Sequence, residues 1–231
     1  MDIDIEKNKQ EFNELLRSVG REGTDYLIED LEALGFYEAP SSTRFHLACD
    51  GGNVQHSLNT CRAGLMLREQ MLLMRPELAS YLPKDSVIVA CLLHDVCKAD
   101  IYKKVVKKRK DAYGNWVDVK AFDVDYSNFP MGHGEKSVIV VLRSGFDISD
   151  NEMLAIRWHM GAWDLAFQSP EQKNNINTAR DKSPLCGLLQ LADGIAANLI
   201  EWGTGKESDI VIWHADYFMW LEKQFEELKN K

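Results

Sequence analysis

Ser86-Val-Ile-Val-Ala-Cys-Leu-Leu-His-Asp-Val-Cys-Lys98 runs through seven apolar residues, Val87 to Leu93, and then sets a histidine beside an aspartate. Ser86 can cap a helix whose first two turns are apolar on every side, and such a helix belongs in the centre of a fold. Asp95 closely follows the apolar run, and a carboxylate carried into an apolar interior needs a compensating cation. Lys98 falls one turn beyond His94 and Asp95, on the same predicted helix face.

Outward from this stretch the chain continues to read as helix. Ile5 to Val19 and Tyr26 to Leu34 carry apolar residues at three- and four-residue spacing and close on Gly20 and Gly35. Val54 to Met74 is helical again and stops at Arg75-Pro76. Ser149-Asp-Asn-Glu152 has capping-box spacing and opens a helix that carries His159. Ser183-Pro184 places a cap and a proline at the start of a helix running through Asp193 towards Gly203. Ile210 to Leu228 puts Trp213, Tyr217, Trp220 and Leu221 on one stripe and predicts a docking helix. One stretch departs from this pattern. Val105 to Lys110 and Val117 to Val124 flank Tyr113-Gly-Asn115, and the second run alternates, which predicts a β-hairpin.

Bulk properties narrow the function. Among 231 residues, hydrophobic types make up 45% and charged types 27%, an ordinary globular balance. No apolar run approaches the roughly 20 residues of a membrane helix, and the N-terminus shows no signal-peptide pattern, so a cytoplasmic protein is expected. A net charge of -9 disfavours a protein that coats nucleic acid with its whole surface. A local basic run, Lys103, Lys104, Lys107, Lys108, Arg109 and Lys110, lies on the hairpin and is read first as a solvated face. The five cysteines are scattered without a CxxC pair and are expected to be reduced core residues.

Four of the six histidines stand in settings that suit a ligand: His56, His94, His133 and His159. Asp193 adds a carboxylate inside the apolar Leu188-Leu-Gln-Leu-Ala-Asp-Gly-Ile-Ala196. A lone histidine on an apolar face is more often a hydrogen-bonded core residue, and Asp193 alone can be paired with an arginine. The conjunction is more specific. Buried carboxylates beside imidazoles call for a cation, and a divalent metal can supply it. His46 and His214 are read as structural.

The order His, His-Asp, His, His, Asp resembles the HD-domain phosphohydrolase superfamily in its two-metal subgroup. The resemblance rests on Gly51-Gly-Asn-Val-Gln-His-Ser-Leu58, Cys91-Leu-Leu-His-Asp-Val-Cys-Lys98, Gly132-His-Gly-Glu135, Ile156-Arg-Trp-His-Met-Gly161 and Leu191-Ala-Asp-Gly-Ile-Ala-Ala197, and covers residues 40–200. Cys97 stands where many relatives have a small residue, and no Gly-Tyr-Pro signature is present. The resemblance implies an all-α helical bundle in a single domain, 1–231, with a β-hairpin insert at 103–126. Helices within 1–40 and 208–229 would pack on the core. It further implies two divalent ions (Fe, Mn, Zn or Ni), with His56, His94, Asp95 and Asp193 on the first, His133 and His159 on the second, and Asp95 bridging. A hydroxide between the ions would attack a phosphate ester, and Lys98 would join Asp95 in catalysis by neutralising phosphoryl charge. Glu135 and Asp164 are candidates to orient ligand histidines. The expected partner is a small phosphorylated substrate, a nucleotide or short oligonucleotide, with nucleic acid not favoured and no membrane. The alternatives are a 3'-5' exonuclease-like phosphodiesterase, a non-catalytic metal-containing nucleotide sensor, and oxygen chemistry at paired irons.

Overall fold

The computed structural model describes residues 3–110, 113–161 and 170–204. The predicted C-terminal helix, His214 and Asp164 lie outside the described residues. Helix α1 (Ile5–Ser18) starts at Asp4, whose carboxylate accepts the Lys7 N–H, and buries Phe12, Leu15 and Leu16. Helix α2 (Thr24–Leu34) ends on Gly35 at φ 79°, in the left-handed region, as the closing glycine predicts. Between them Phe12, Phe36 and Tyr37 pack ring against ring, with centroids 5.1 to 5.8 Å apart.

The centre is built from α3 (Gly52–Met74), α4 (Lys84–Leu93), α6 (Asp150–Trp158) and α8 (Pro184–Ile195), which pack on one another, with α5 (His133–Arg143) against α6 and α7 (Pro170–Lys182) against α6 and α8. Every α4 residue from Ser86 to Leu93 is buried, as its all-apolar surface predicts. The expected cap is displaced: α4 begins at Lys84, directly after Pro83, and Ser86 lies inside the helix. Ser149 and Glu152 do form both halves of a capping box on α6. Ser183 precedes Pro184 at the start of α8 but makes no capping hydrogen bond.

Two glycines permit the close helix approaches on which the centre depends. A Cβ on Gly64 of α3 would lie 2.6 Å from Cys91 Sγ on α4, and one on Gly134 of α5 would lie 2.1 Å from the Arg157 carbonyl oxygen on α6. The second contact seats the first turn of α5 on the last turn of α6.

Strands β1 (Tyr102–Lys110) and β2 (Trp116–Val124) form an antiparallel hairpin in the register Tyr102↔Val124 to Lys110↔Trp116. It starts one residue earlier than the predicted insert. Tyr102, Val105, Val119, Ala121 and Phe122 are half-covered, and the distal half is exposed on both sides. The fold is thus all-α with one small β insertion. No single helix among the described residues is long and apolar enough to cross a membrane.

Candidate metal centre

The six side chains come from helix positions that a helix does not treat alike. His56 is in the second turn of α3, and His133 is the first residue of α5. His94 and His159 are the C-cap residues of α4 and α6. Asp95 follows His94, and Asp193 lies near the end of α8. The last carbonyls of a helix lack intrahelical partners. His94 and His159 meet this need in the same way: each Nδ1 lies on the carbonyl three residues back, Cys91 at 2.8 Å and Ile156 at 2.7 Å. Each Nδ1–H therefore donates outward, and the Nε2 faces the cluster.

The four predicted histidines meet at Asp95, and Asp193 joins them through His56. Its Oδ2 lies 3.3 Å from His94 Nε2 and 3.6 Å from His56 Nε2, and its Oδ1 lies 2.7 Å from His133 Nε2 and 3.5 Å from His159 Nε2. Asp193 Oδ1 stands 3.3 Å from His56 Nε2. The His56 and His94 Nε2 atoms are 3.4 Å apart. The sequence places Lys98 on the α4 face, but the structure does not: α4 ends at Leu93, and Lys98 sits in a 3-10 turn, Val96–Asp100. That tighter turn still brings its ammonium 2.6 Å from Asp95 Oδ2.

The cluster is buried and rich in negative charge. Burial would raise the Asp95 carboxyl, but Lys98 and the surrounding histidines hold it well below the usual carboxylate range. Asp193 is likewise held low against its burial, chiefly by His56. Burial would lower His56, yet Glu201 and Asp193 outweigh it and push the imidazole up to about 10. His133 is lowered by burial in spite of Asp95, whereas His159 is raised by Asp95.

Glu201 is the residue that the sequence reading missed. It is 2% exposed, accepts from His56 Nδ1 at 3.0 Å on both oxygens, and accepts from Asn59 Nδ2 at 3.0 Å. Its signal was a carboxylate just beyond an apolar helix, the same signal that singled out Asp193. His46, read as structural, packs on His56 with ring centroids 4.9 Å apart, and burial lowers it to about 4, so it is neutral. Cys97 Sγ is 3.4 Å from His133 Nδ1. Glu135 does not orient a ligand histidine; it pairs with Arg157. Three of the six residues of the basic run pair with acids: Lys103 with Asp125, Lys104 with Asp50 and Lys107 with Asp123. The four buried cysteines and half-buried Cys49 are free thiols.

Residues 53–198 match the family model of the HD domain. The chain belongs to the HD-domain family. No curated protein and no solved structure matches it. HD domains are in general metal-dependent phosphohydrolases that bind divalent ions. The donor set of this HD-domain protein fits such ions. Two ligands held about 2.1 Å from one tetrahedral ion stand about 3.4 Å apart, the separation of the His56 and His94 nitrogens. His159 Nε2 is buried without a hydrogen-bond partner among the described residues, a cost that a bound cation removes. Four groups among the described residues have ligand atoms close enough to share one ion: His56-His94-Asp95, His94-His159-Asp193, Asp95-Cys97-His133 and, behind His56, His46-His56-Glu201.

Proposed function

We propose that this HD-domain protein hydrolyses a phosphate ester, with a nucleotide or short oligonucleotide as substrate, using two divalent ions. The observation that supports this most strongly is the division of Asp95, whose Oδ2 faces His56 and His94 while Oδ1 faces His133 and His159. His56, His94, Asp95 and Asp193 would hold one ion, and His133 and His159 the other, with Asp95 shared. Imidazole and carboxylate donors suit Fe, Mn, Zn or Ni. When bound, the ions supply Lewis acidity that makes a water nucleophilic near neutral pH and offsets phosphoryl charge.

The chain's own groups do the remaining work. Imidazoles whose Nδ1–H groups are occupied by Glu201, Cys91 O and Ile156 O present Nε2 without having to reorient. Lys98, ionised beside Asp95, donates to a phosphoryl oxygen as charge grows there. Burial pushes the Cys97 thiol up to about 12, so it stays protonated and does not compete as a nucleophile. Tyr102 and Phe122, with ring centroids 6.5 Å apart at the hairpin root, offer a face for a base. Phosphate release from a panel of nucleotides and dinucleotides, after reconstitution with Mn or Fe, tests the reading. Release well above that of the Asp95→Asn protein supports it, and no release from any member overturns it.

A further inference from the structure

Asp193 and Glu201 are eight residues apart in the chain, yet both meet the imidazole of His56. Asp193 lies 3.3 Å from Nε2 and Glu201 3.0 Å from Nδ1. An α-helix turns about 100° per residue, so eight residues would leave the two side chains about 80° apart around the axis. The helix is not a plain one here. A π turn, Ala196–Ile200, follows α8 and is closed by the Glu201 N–H donating to the Ala196 carbonyl at 2.9 Å. A π turn takes in one extra residue, so the step counts as about seven α positions and Glu201 returns to within about 20° of Asp193.

His56 needs a side-chain partner for a local reason. His94 and His159 sit at helix ends, where a free carbonyl three residues back receives Nδ1–H. His56 lies inside α3, where the carbonyls of the preceding turn already accept helical bonds. An acceptor must therefore come from another element, and the π turn brings one.

We infer that Glu201 is a positioning residue for the metal centre: it fixes the His56 ring with Nε2 towards the cluster and sets how tightly the first ion is held. This rests on the two-ion reading of the six-residue cluster. A carboxylate behind a ligating imidazole fixes its tautomer and raises its donor strength, and losing such a partner weakens metal binding by roughly 10–100-fold.

The test is a Co(II) titration of chelator-stripped full-length protein, followed by visible absorption, on wild type, Glu201→Gln, Glu201→Ala, His56→Ala and the His56→Ala/Glu201→Ala double variant. Glu201→Ala should weaken one of two binding steps by roughly 10–100-fold and leave the other unchanged. Glu201→Gln keeps the shape and an acceptor and should weaken the same step less; it also carries the test if the alanine variant does not fold. The double variant should bind Co(II) no worse than His56→Ala, because Glu201 acts through His56. Two unchanged steps in both Glu201 variants, or a further loss in the double variant, would overturn the inference and leave the two-ion reading standing. Fewer than two ions on wild type would overturn that reading, and the inference with it.

Discussion

Replacing Asp95 by asparagine keeps the side-chain volume and removes one charge, and the structure sets two separate consequences. The carboxylate is 2% exposed, and the Lys98 ammonium lies 2.6 Å away with its side chain 12% exposed. Removing one partner of a buried ion pair strands the other, at a cost of about 3–5 kcal/mol. Lys98 keeps a little solvent, so the lower end, about 3 kcal/mol, applies. For a chain of this size each kcal/mol shifts Tm by about 2–4 °C, so metal-free Asp95→Asn should melt about 6–12 °C below wild type. Adding Lys98→Met removes the stranded ammonium and should recover most of that loss. The metal consequence differs: Asp95 faces all four ligand histidines, so both variants should lose both ions and all phosphate release. Chelator-treated melting followed by elemental analysis after reconstitution reads both. If Asp95→Asn keeps two ions, Asp95 is not shared between them. If Lys98→Met restores no stability, the stranded ammonium is not the cause.

Metal binding should release protons. In the metal-free protein His56 is raised from 6.5 to about 10, so its Nε2 carries a proton at pH 7.5 that an incoming ion must displace. By the same shift, His56 contributes stability that is fully present below pH 6.5 and lost as pH rises through about 10. Calorimetric Mn titrations in buffers of different ionisation enthalpy should show close to one proton released at pH 7.5, and none would contradict the assigned charge state. Gly134→Ala forces a Cβ to within 2.1 Å of the Arg157 carbonyl oxygen, so α5 must move off α6. This should cost about 1–3 kcal/mol in denaturant unfolding and weaken mainly the ion on His133 and His159. Gly187→Ala, with nothing within 4 Å of its Cβ, is the control that should leave stability and both ions intact.

Much of the helical framework follows from local rules. The all-apolar run of α4, the Gly35 stop and the Ser149–Glu152 capping box need only neighbouring residues to be read. Asp95 and Asp193 were legible because a carboxylate in or beside an apolar run carries a desolvation cost, whereas the four clustered histidines were picked out by the order and local strings that resemble the HD domain. Local rules failed where a neighbour in space decides. Helix α4 begins at Lys84, directly after Pro83, two residues before the serine that was read as its cap, and packing buries Ser86 inside the helix. Lys98 left the α4 face because the chain tightens into a 3-10 turn after His94. The alternation of the second strand marked the hairpin, but how little of it is covered among the described residues, half-buried only at Tyr102, Val105, Val119, Ala121 and Phe122, is not written in that alternation.

The sequence by itself therefore determined which residues are costly to bury and which helices carry them. Only the tertiary structure decided how they meet. The division of Asp95 between two pairs of histidines needs four helix ends and turns brought together, by approaches as close as Gly134 against Arg157. Glu201 escaped notice because its role depends on one extra residue in a turn. Helical periodicity predicts the direction of a side chain only while the helix stays regular, and the π turn after α8 changes that direction by about 100°.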